Sequence, residues 1–207
     1  MINRKIVLFD FDGVIVSTFE LCYSIARKQM PGLEPENYRR FFEGNIYRVD
    51  WASEGIAPRD NSDDFFTEYT PRLMEHVLVP GIATVVATLV GRYTLIIVSS
   101  TVEPAIDAFL QAHGLRPFFA DILGRNASES KSVKVRMVLE RYGAADDDCL
   151  MITDTLGDLR EAAAVGVRGL AVAWGFHGRE ILMQGSPVAI VEEPAALVGV
   201  VDAYWQN

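Results

Sequence analysis

Lys5-Ile6-Val7-Leu8-Phe9-Asp10-Phe11-Asp12-Gly13 decides the fold. Lys5 to Phe9 is too short for a helix and lacks polar alternation, so it reads as a strand buried on both faces. It stops abruptly at two carboxylates. Three more short apolar runs follow: Tyr93 to Val98, Cys149 to Ile152 and Gly169 to Ala173. Helical patterns separate the later runs. Val102 to His113 has Pro104 near its first turn and ends at Gly114, Val133 to Tyr142 ends at Gly143, and Leu156 to Val165 ends at Gly166. Strand alternating with helix predicts an α/β core, a doubly wound (Rossmann-like), mostly parallel sheet with right-handed crossovers.

One gap breaks that rhythm. About eighty residues separate the first run from the second, far more than one crossover helix needs. Segments 18–30, 35–44 and 61–78 look helical, set apart by Pro31-Gly32, Gly44, Gly55 and Pro58, and Pro80-Gly81 marks the return to alternation. The expected organisation is a core of residues 1–16 and 80–207 with a helical insertion over 17–79. No internal repeat or low-complexity segment is present.

The composition narrows the function classes. The chain has 207 residues, half of them hydrophobic, and a formal net charge of −9. That balance argues against nucleic acid and anionic membrane as partners. The longest apolar stretch, Val77 to Ser99, is interrupted by Pro80, Gly81, Thr84, Thr88 and Arg92, so it reads as helix then strand and not as a membrane span. The opening residues are too short and too acidic for a signal peptide, and a cytoplasmic protein is expected. Cys22 and Cys149 read as ordinary buried thiols.

The polar residues fall where the strands end. The first run ends in Asp10-Phe11-Asp12-Gly13, the second in Ser99-Ser100-Thr101, the third in Thr153-Asp154-Thr155. In a parallel sheet these ends share one edge, where ligands bind. Asp158, four residues after Asp154, stays within a turn of that edge. Carboxylates crowded together repel unless a cation lies among them, and their oxygens suit Mg²⁺. Ser100-Thr101 is expected to cap the helix containing Pro104, whose free N–H groups favour an anion. A metal beside an anion cradle indicates a phosphate site.

The set Asp10-Phe11-Asp12-Gly13-Val14, Ser99, Lys131 and Asp154-Thr155-Leu156-Gly157-Asp158 resembles the four motifs of the haloacid dehalogenase superfamily, in order and across nearly the whole chain. Pro80-Gly81 and Ala173-Trp174-Gly175 add to the likeness, and in general the chain resembles the phosphoglycolate phosphatases. The resemblance implies that residues 17–79 are a type-1 helical cap. It implies Asp10 as a nucleophile forming an aspartyl-phosphate and Asp12 as acid, then base. It further implies Mg²⁺ held by Asp10, the Asp12 backbone carbonyl, Asp154 and Asp158, with Ser99, Ser100 and Lys131 binding the phosphoryl group. Asp12 speaks against carbon–halogen cleavage, because the family's dehalogenases lack an acid there.

Some positions stay open or depart from the family pattern. Lys134 is the alternative to Lys131, since Ser132 stands where relatives often have proline. Ser17 and Thr153 replace a common Asp and Gly. Neither calcium-loop spacing works: Asp10 to Leu21 lacks the final Glu, and the stretch from Asp60 ends in Pro71. His76, His113 and His177 lack metal-ligand spacing. His113 suits a helix C-terminus, and His177 is a candidate to border the site. Asp146-Asp147-Asp148 reads as a solvated turn. In the insertion, Phe41, Phe42, Trp51, Phe65, Phe66 and Tyr69 read first as core. Arg39, Arg40 and Arg48, around Gly44, are the candidate readers of an acidic leaving group. The expected activity is a Mg²⁺-dependent phosphatase of a small soluble phosphomonoester. A phosphotransferase of sugar-phosphate mutase type and a non-catalytic binding protein are the alternatives.

Overall fold

The structure, a computed structural model, describes residues 5–49 and 62–206. Six strands, β1 (Ile6–Phe9), β2 (Thr94–Val98), β3 (Asp121–Leu123), β4 (Cys149–Thr153), β5 (Arg168–Val172) and β6 (Ile190–Val191), form one sheet in the order β3-β2-β1-β4-β5-β6. Every pairing is parallel. The strand order reverses between β1 and β4, which is where a doubly wound sheet opens its ligand crevice. The expected fold class is therefore present. β3 and β6 are additions to the sequence reading; at three and two residues they are too short to announce themselves as apolar runs.

Alternate side chains of the strands divide between two apolar layers. Val7, Phe9, Leu95, Ile97, Leu150 and Ile152 face one layer, which includes residues of α4 (Ile82–Leu89), α5 (Glu103–Ala112) and α9 (Leu197–Tyr204). Ile6, Leu8, Ile96, Val98, Cys149 and Met151 face the other, with α6 (Lys131–Tyr142) and Ala162 of α7 (Leu156–Ala163). A short helix α8 (Arg179–Met183) adds Leu182 against Leu159 and Ala171. Each fully buried side chain of this size contributes ~1.5–3 kcal/mol, and every residue of β1 and β4 is buried. Cys149 and Cys22 are buried free thiols.

Between β1 and α4 the described chain forms α1 (Phe19–Gln29), α2 (Pro35–Arg40), 3-10 turns at Phe41–Glu43 and Ile46–Arg48, and α3 (Ser62–Leu73). The two legs of this segment run side by side: Val16 bridges Leu78, and the Val79 N–H donates to the Ile15 carbonyl at 2.9 Å. α3 ends at Leu73, five residues short of the expected boundary, where Arg72 and Leu73 carbonyls close a turn. Trp51, Gly55 and Pro58 lie outside the described residues. Among the described residues no helix is long and apolar enough to cross a membrane.

The helix after β2 corrects one expectation. Its N-cap is Val102, in an extended conformation and with no side-chain cap, instead of Ser100-Thr101. The Thr101 hydroxyl turns to Asp12, and the Asn126 side chain accepts from the Glu103 N–H instead.

The insertion approaches α7 closely at Gly157. A Cβ there would lie 2.3 Å from the Gly44 carbonyl oxygen and 2.8 Å from that of Phe42. Gly157→Ala is therefore expected to destabilise the fold by about 1–3 kcal/mol despite alanine's better helix propensity, because backbone must move. Chemical denaturation measures this, and an unchanged midpoint would show that the segment backs away freely.

Candidate active site

β1 delivers the first carboxylate. The Asp10 N–H still donates to the Ile152 carbonyl at 2.9 Å, which continues the ladder onto β4 and fixes the Asp10 backbone. Gly13 then turns the chain with φ +73°, and a Cβ there would stand 1.9 Å from Asp154 Oδ2. Only glycine supplies both the conformation and the space. Asp154, at the end of β4, is held by the Phe176 N–H on Oδ2 at 2.7 Å. Thr155 caps α7 by accepting from the Asp158 N–H at 3.3 Å, which brings Asp158 back to the edge.

Asp10, Asp154 and Asp158 offer oxygens that all lie within 4.8 Å of one another. Lys131 is the cation among them, with its Nζ 2.6 Å from Asp10 Oδ2 and 2.6 Å from Asp158 Oδ2. Lys131 is the first residue of α6, two residues earlier than the sequence pattern suggests, with Ser130 as N-cap. Lys134, the alternative, points elsewhere: its Nζ donates to the Ser99 carbonyl. Burial, with repulsion from Lys131, lowers its pKa to about 8.

The electrostatics follow from the crowding. Burial pushes Asp10 well above the ordinary carboxylate value; Lys131 opposes this, while Asp158 and Asp154 add to it. Burial carries Asp154 up to about 7 against the pull of the Phe176 N–H. Burial also works against Asp158, but Lys131 and hydrogen bonds from Asp10, Lys131 and Thr153 outweigh it and hold it at about 2. Thr153, one of the departures from the family pattern, thus donates to Asp158 Oδ2 at 2.8 Å.

Asp12 stands apart from this cluster. Its Oδ1 accepts from Thr18 at 2.7 Å and from Tyr69 at 2.5 Å, and its Oδ2 accepts from Thr101 at 2.6 Å. Ser99 is fully buried, with its Oγ accepting from the Thr101 N–H. The Ser100 carbonyl accepts from Tyr47 at 2.6 Å. Ser17 is exposed and makes no part of the site.

A cavity of about 340 Å³ joins these groups, lined by Asp10, Asp12, Ser99, Ser100, Lys131, Asp154 and Asp158. Its far wall carries Tyr38, Phe42, Tyr47, Phe65, Phe66 and Arg125. Phe42, Phe65 and Phe66 thus face the cavity, whereas Phe41 and Tyr69 are buried. The arginine expectation is corrected. Arg40 and Arg48 border a separate surface pocket, and Arg39 lies over the Phe19 ring and donates to the Phe176 carbonyl. Arg125, from the turn after β3, is the arginine at the cavity among the described residues. His177 does not line it: its Nδ1 accepts from the Leu156 N–H, so Nε2 donates to the Arg39 carbonyl at 2.9 Å.

A family model described as haloacid dehalogenase-like hydrolase matches residues 7–172. The chain belongs to that family. It is a haloacid dehalogenase-like hydrolase, and phosphatases are among the proteins it resembles. A phosphoglycolate phosphatase of Synechococcus elongatus is 28% identical, covering 93% of this chain and 94% of that one. The pyrophosphatase PpaX of Bacillus pumilus is 25% identical over 95% and 96%. The fold matches that of a haloacid dehalogenase-like hydrolase from Streptococcus pneumoniae at a TM-score of 0.77 and 21% identity, over 96% and 99% of the chains.

For this haloacid dehalogenase-like hydrolase, the raised Asp154 pKa has a stability consequence. The folded protein keeps the Asp154 proton up to about pH 7, whereas the unfolded chain releases it near pH ~4. Between those values the folded state holds more protons, so in chelator the contribution of Asp154 falls as pH rises. Asp154→Asn is expected to flatten that decline, by a few kcal/mol between pH 4 and 7. Urea denaturation in EDTA across that range checks this, and an unaltered slope would contradict it.

Proposed function

We propose that the protein is a Mg²⁺-dependent phosphatase of a small soluble cytoplasmic phosphomonoester, acting through an aspartyl-phosphate on Asp10. One observation carries the metal: Asp154 Oδ1 is buried and has no hydrogen-bond partner among the described residues, beside two further carboxylates. A buried carboxylate oxygen without a donor is costly, and a hard cation relieves it. Asp10, Asp154, Asp158 and the Asp12 carbonyl would hold the ion. Bound Mg²⁺ supplies charge neutralisation for the phosphoryl oxygens and the crowded carboxylates.

The protein's own groups do the rest. An Asp10 oxygen attacks phosphorus while the ester P–O bond breaks and the leaving oxygen takes the proton of the Asp12 carboxyl. Water then attacks the same phosphorus. Asp12, now a carboxylate, takes its proton, the bond to Asp10 breaks, and inorganic phosphate leaves. Lys131 and Ser99 hold phosphoryl oxygens as charge shifts onto them, with Ser100 beside them. Residues 17–79 act as the cap, and their aromatic wall meets the leaving group.

Hydrolysis of a phosphomonoester panel is expected with Mg²⁺ and to be lost in EDTA. Asp10→Asn is expected to keep the fold and lose on the order of 10³-fold or more in kcat. A tenth of the parental rate in that variant would sink the covalent route.

Arg125 takes the role that the sequence pattern gives to Arg40 and Arg48. Its guanidinium lies 5.6 Å from the Tyr47 ring centroid and 5.7 Å from that of Phe66. If the leaving group is acidic, as in the relatives named phosphoglycolate phosphatase, Arg125 is its counter-charge. Arg125→Gln is expected to lower kcat/KM for 2-phosphoglycolate by about tenfold to a hundredfold more than for p-nitrophenyl phosphate, matching ~1.5–3 kcal/mol for a charged hydrogen bond. Equal losses on both would remove Arg125 from specificity.

A further inference from the structure

We infer that Tyr69 is a positioning residue for Asp12, its phenol on α3 fixing the carboxyl that passes a proton to the leaving oxygen. The inference rests on the acid–base role proposed for Asp12. Tyr69 lies outside the motif set and reads from sequence as core. Its side chain is fully buried, yet its hydroxyl reaches Asp12 Oδ1 at 2.5 Å. Phenylalanine would fill an apolar cluster at lower cost, since a buried hydroxyl has to find a partner. Here the partner is the first-motif carboxyl that stands outside the Asp10–Asp154–Asp158 cluster.

Three hydroxyls hold Asp12, and each comes from a different part of the chain: Thr18 from the leg leaving β1, Thr101 from the turn after β2, and Tyr69 from α3. Tyr69 is the most rigidly mounted. Its ring stacks on Phe65, with centroids 5.6 Å apart and planes at 20°, and meets Phe66 edge-on at 5.9 Å. Burial and the neighbouring Asp12 charge hold the phenol well above its ordinary value, so it remains a donor.

An aspartate carboxyl turns broadly about its last torsion. Transfer of its proton requires hydrogen-bond reach to the leaving oxygen, and misplacement by 1 Å costs up to ~10²-fold. A fixed donor on one carboxylate oxygen sets that torsion. Because this donor is on α3, it is the hydroxyl that ties the Asp12 carboxyl to the helical insertion, alongside Thr18 and Thr101.

The test uses the difference between leaving groups. p-Nitrophenyl phosphate departs as a stable phenolate with little need of a proton, whereas benzyl phosphate departs as an alkoxide and needs one. The value of kcat/KM reports the steps through phosphoryl transfer, so it reads this need directly. Tyr69→Phe is expected to lower kcat/KM for benzyl phosphate by at least about tenfold and for p-nitrophenyl phosphate by less than about threefold. Circular dichroism and thermal melting confirm the fold, and Tyr69→Met carries the same expectation should the first variant not fold.

Equal losses on both substrates would make Tyr69 a packing residue and overturn the inference, as would no loss on either. Asp12→Asn is the reference. It is expected to show the same selectivity more strongly. If it does so while Tyr69→Phe does not, the inference alone fails; if it shows no selectivity, the acid role of Asp12 fails and the inference with it.

Discussion

Three buried carboxylates share a space 4.8 Å across, and one ammonium group, from Lys131, lies among them. Removing charges from water costs several kcal/mol per ion, which the mutual attraction offsets only with good geometry and further hydrogen bonds. The rest of the core serves that geometry. β1 and β4 fix the backbones of Asp10 and Asp154 as paired neighbours, and α7 brings Asp158 back by a capped first turn. Lys131 satisfies two carboxylates but leaves the third with a bare oxygen. That bare oxygen, beside two further carboxylates, is what the proposed divalent ion would answer.

The same constraint separates the roles of the two aspartates of the first motif. Asp10 faces the cluster, where burial and like charge favour its proton against the pull of Lys131, so the nucleophilic role proposed for it calls for a further cation. Asp12, two residues on, faces the hydroxyls of Thr18, Tyr69 and Thr101 instead. Gly13 permits the turn between those environments, which is why the motif ends in glycine.

How much of this was legible in the sequence follows from what produced each feature. Buried parallel strands leave continuous apolar runs, so β1, β2, β4 and β5 stand out, and the polar residues at their ends locate Asp10, Ser99 and Asp154. Lys131 and Asp158 follow from helix starts. β3 is invisible because only Ile122 and Leu123 are apolar in it, and with β3 unseen, Arg125 had no place at the edge. Tyr69 was illegible for another reason. Helical periodicity assigns it to a buried face, correctly, but periodicity says nothing about where the end of a buried phenol points. Arg40 and Arg48 failed because closeness to Gly44 in sequence did not fix the direction of their side chains.

The contacts that seat the insertion explain why its specificity is hard to read. Arg160 donates to the Glu43 carbonyl, His177 to that of Arg39, Asn45 to that of Glu129, and Tyr47 to that of Ser100. In these four contacts the acceptors are backbone oxygens, which every residue type supplies, although Asn45 also donates to the Glu161 carboxylate and Tyr69 to that of Asp12. Such docking depends on the path of the chain and not on the side chain at the accepting position. Side chains of the same turns serve both purposes: Phe42 lines the cavity and also meets the Phe176 ring edge-on at 4.9 Å. The phosphoryl half of the site is written in particular residue types at particular strand ends. The leaving-group half is written in shape, and shape appears only once the chain has folded.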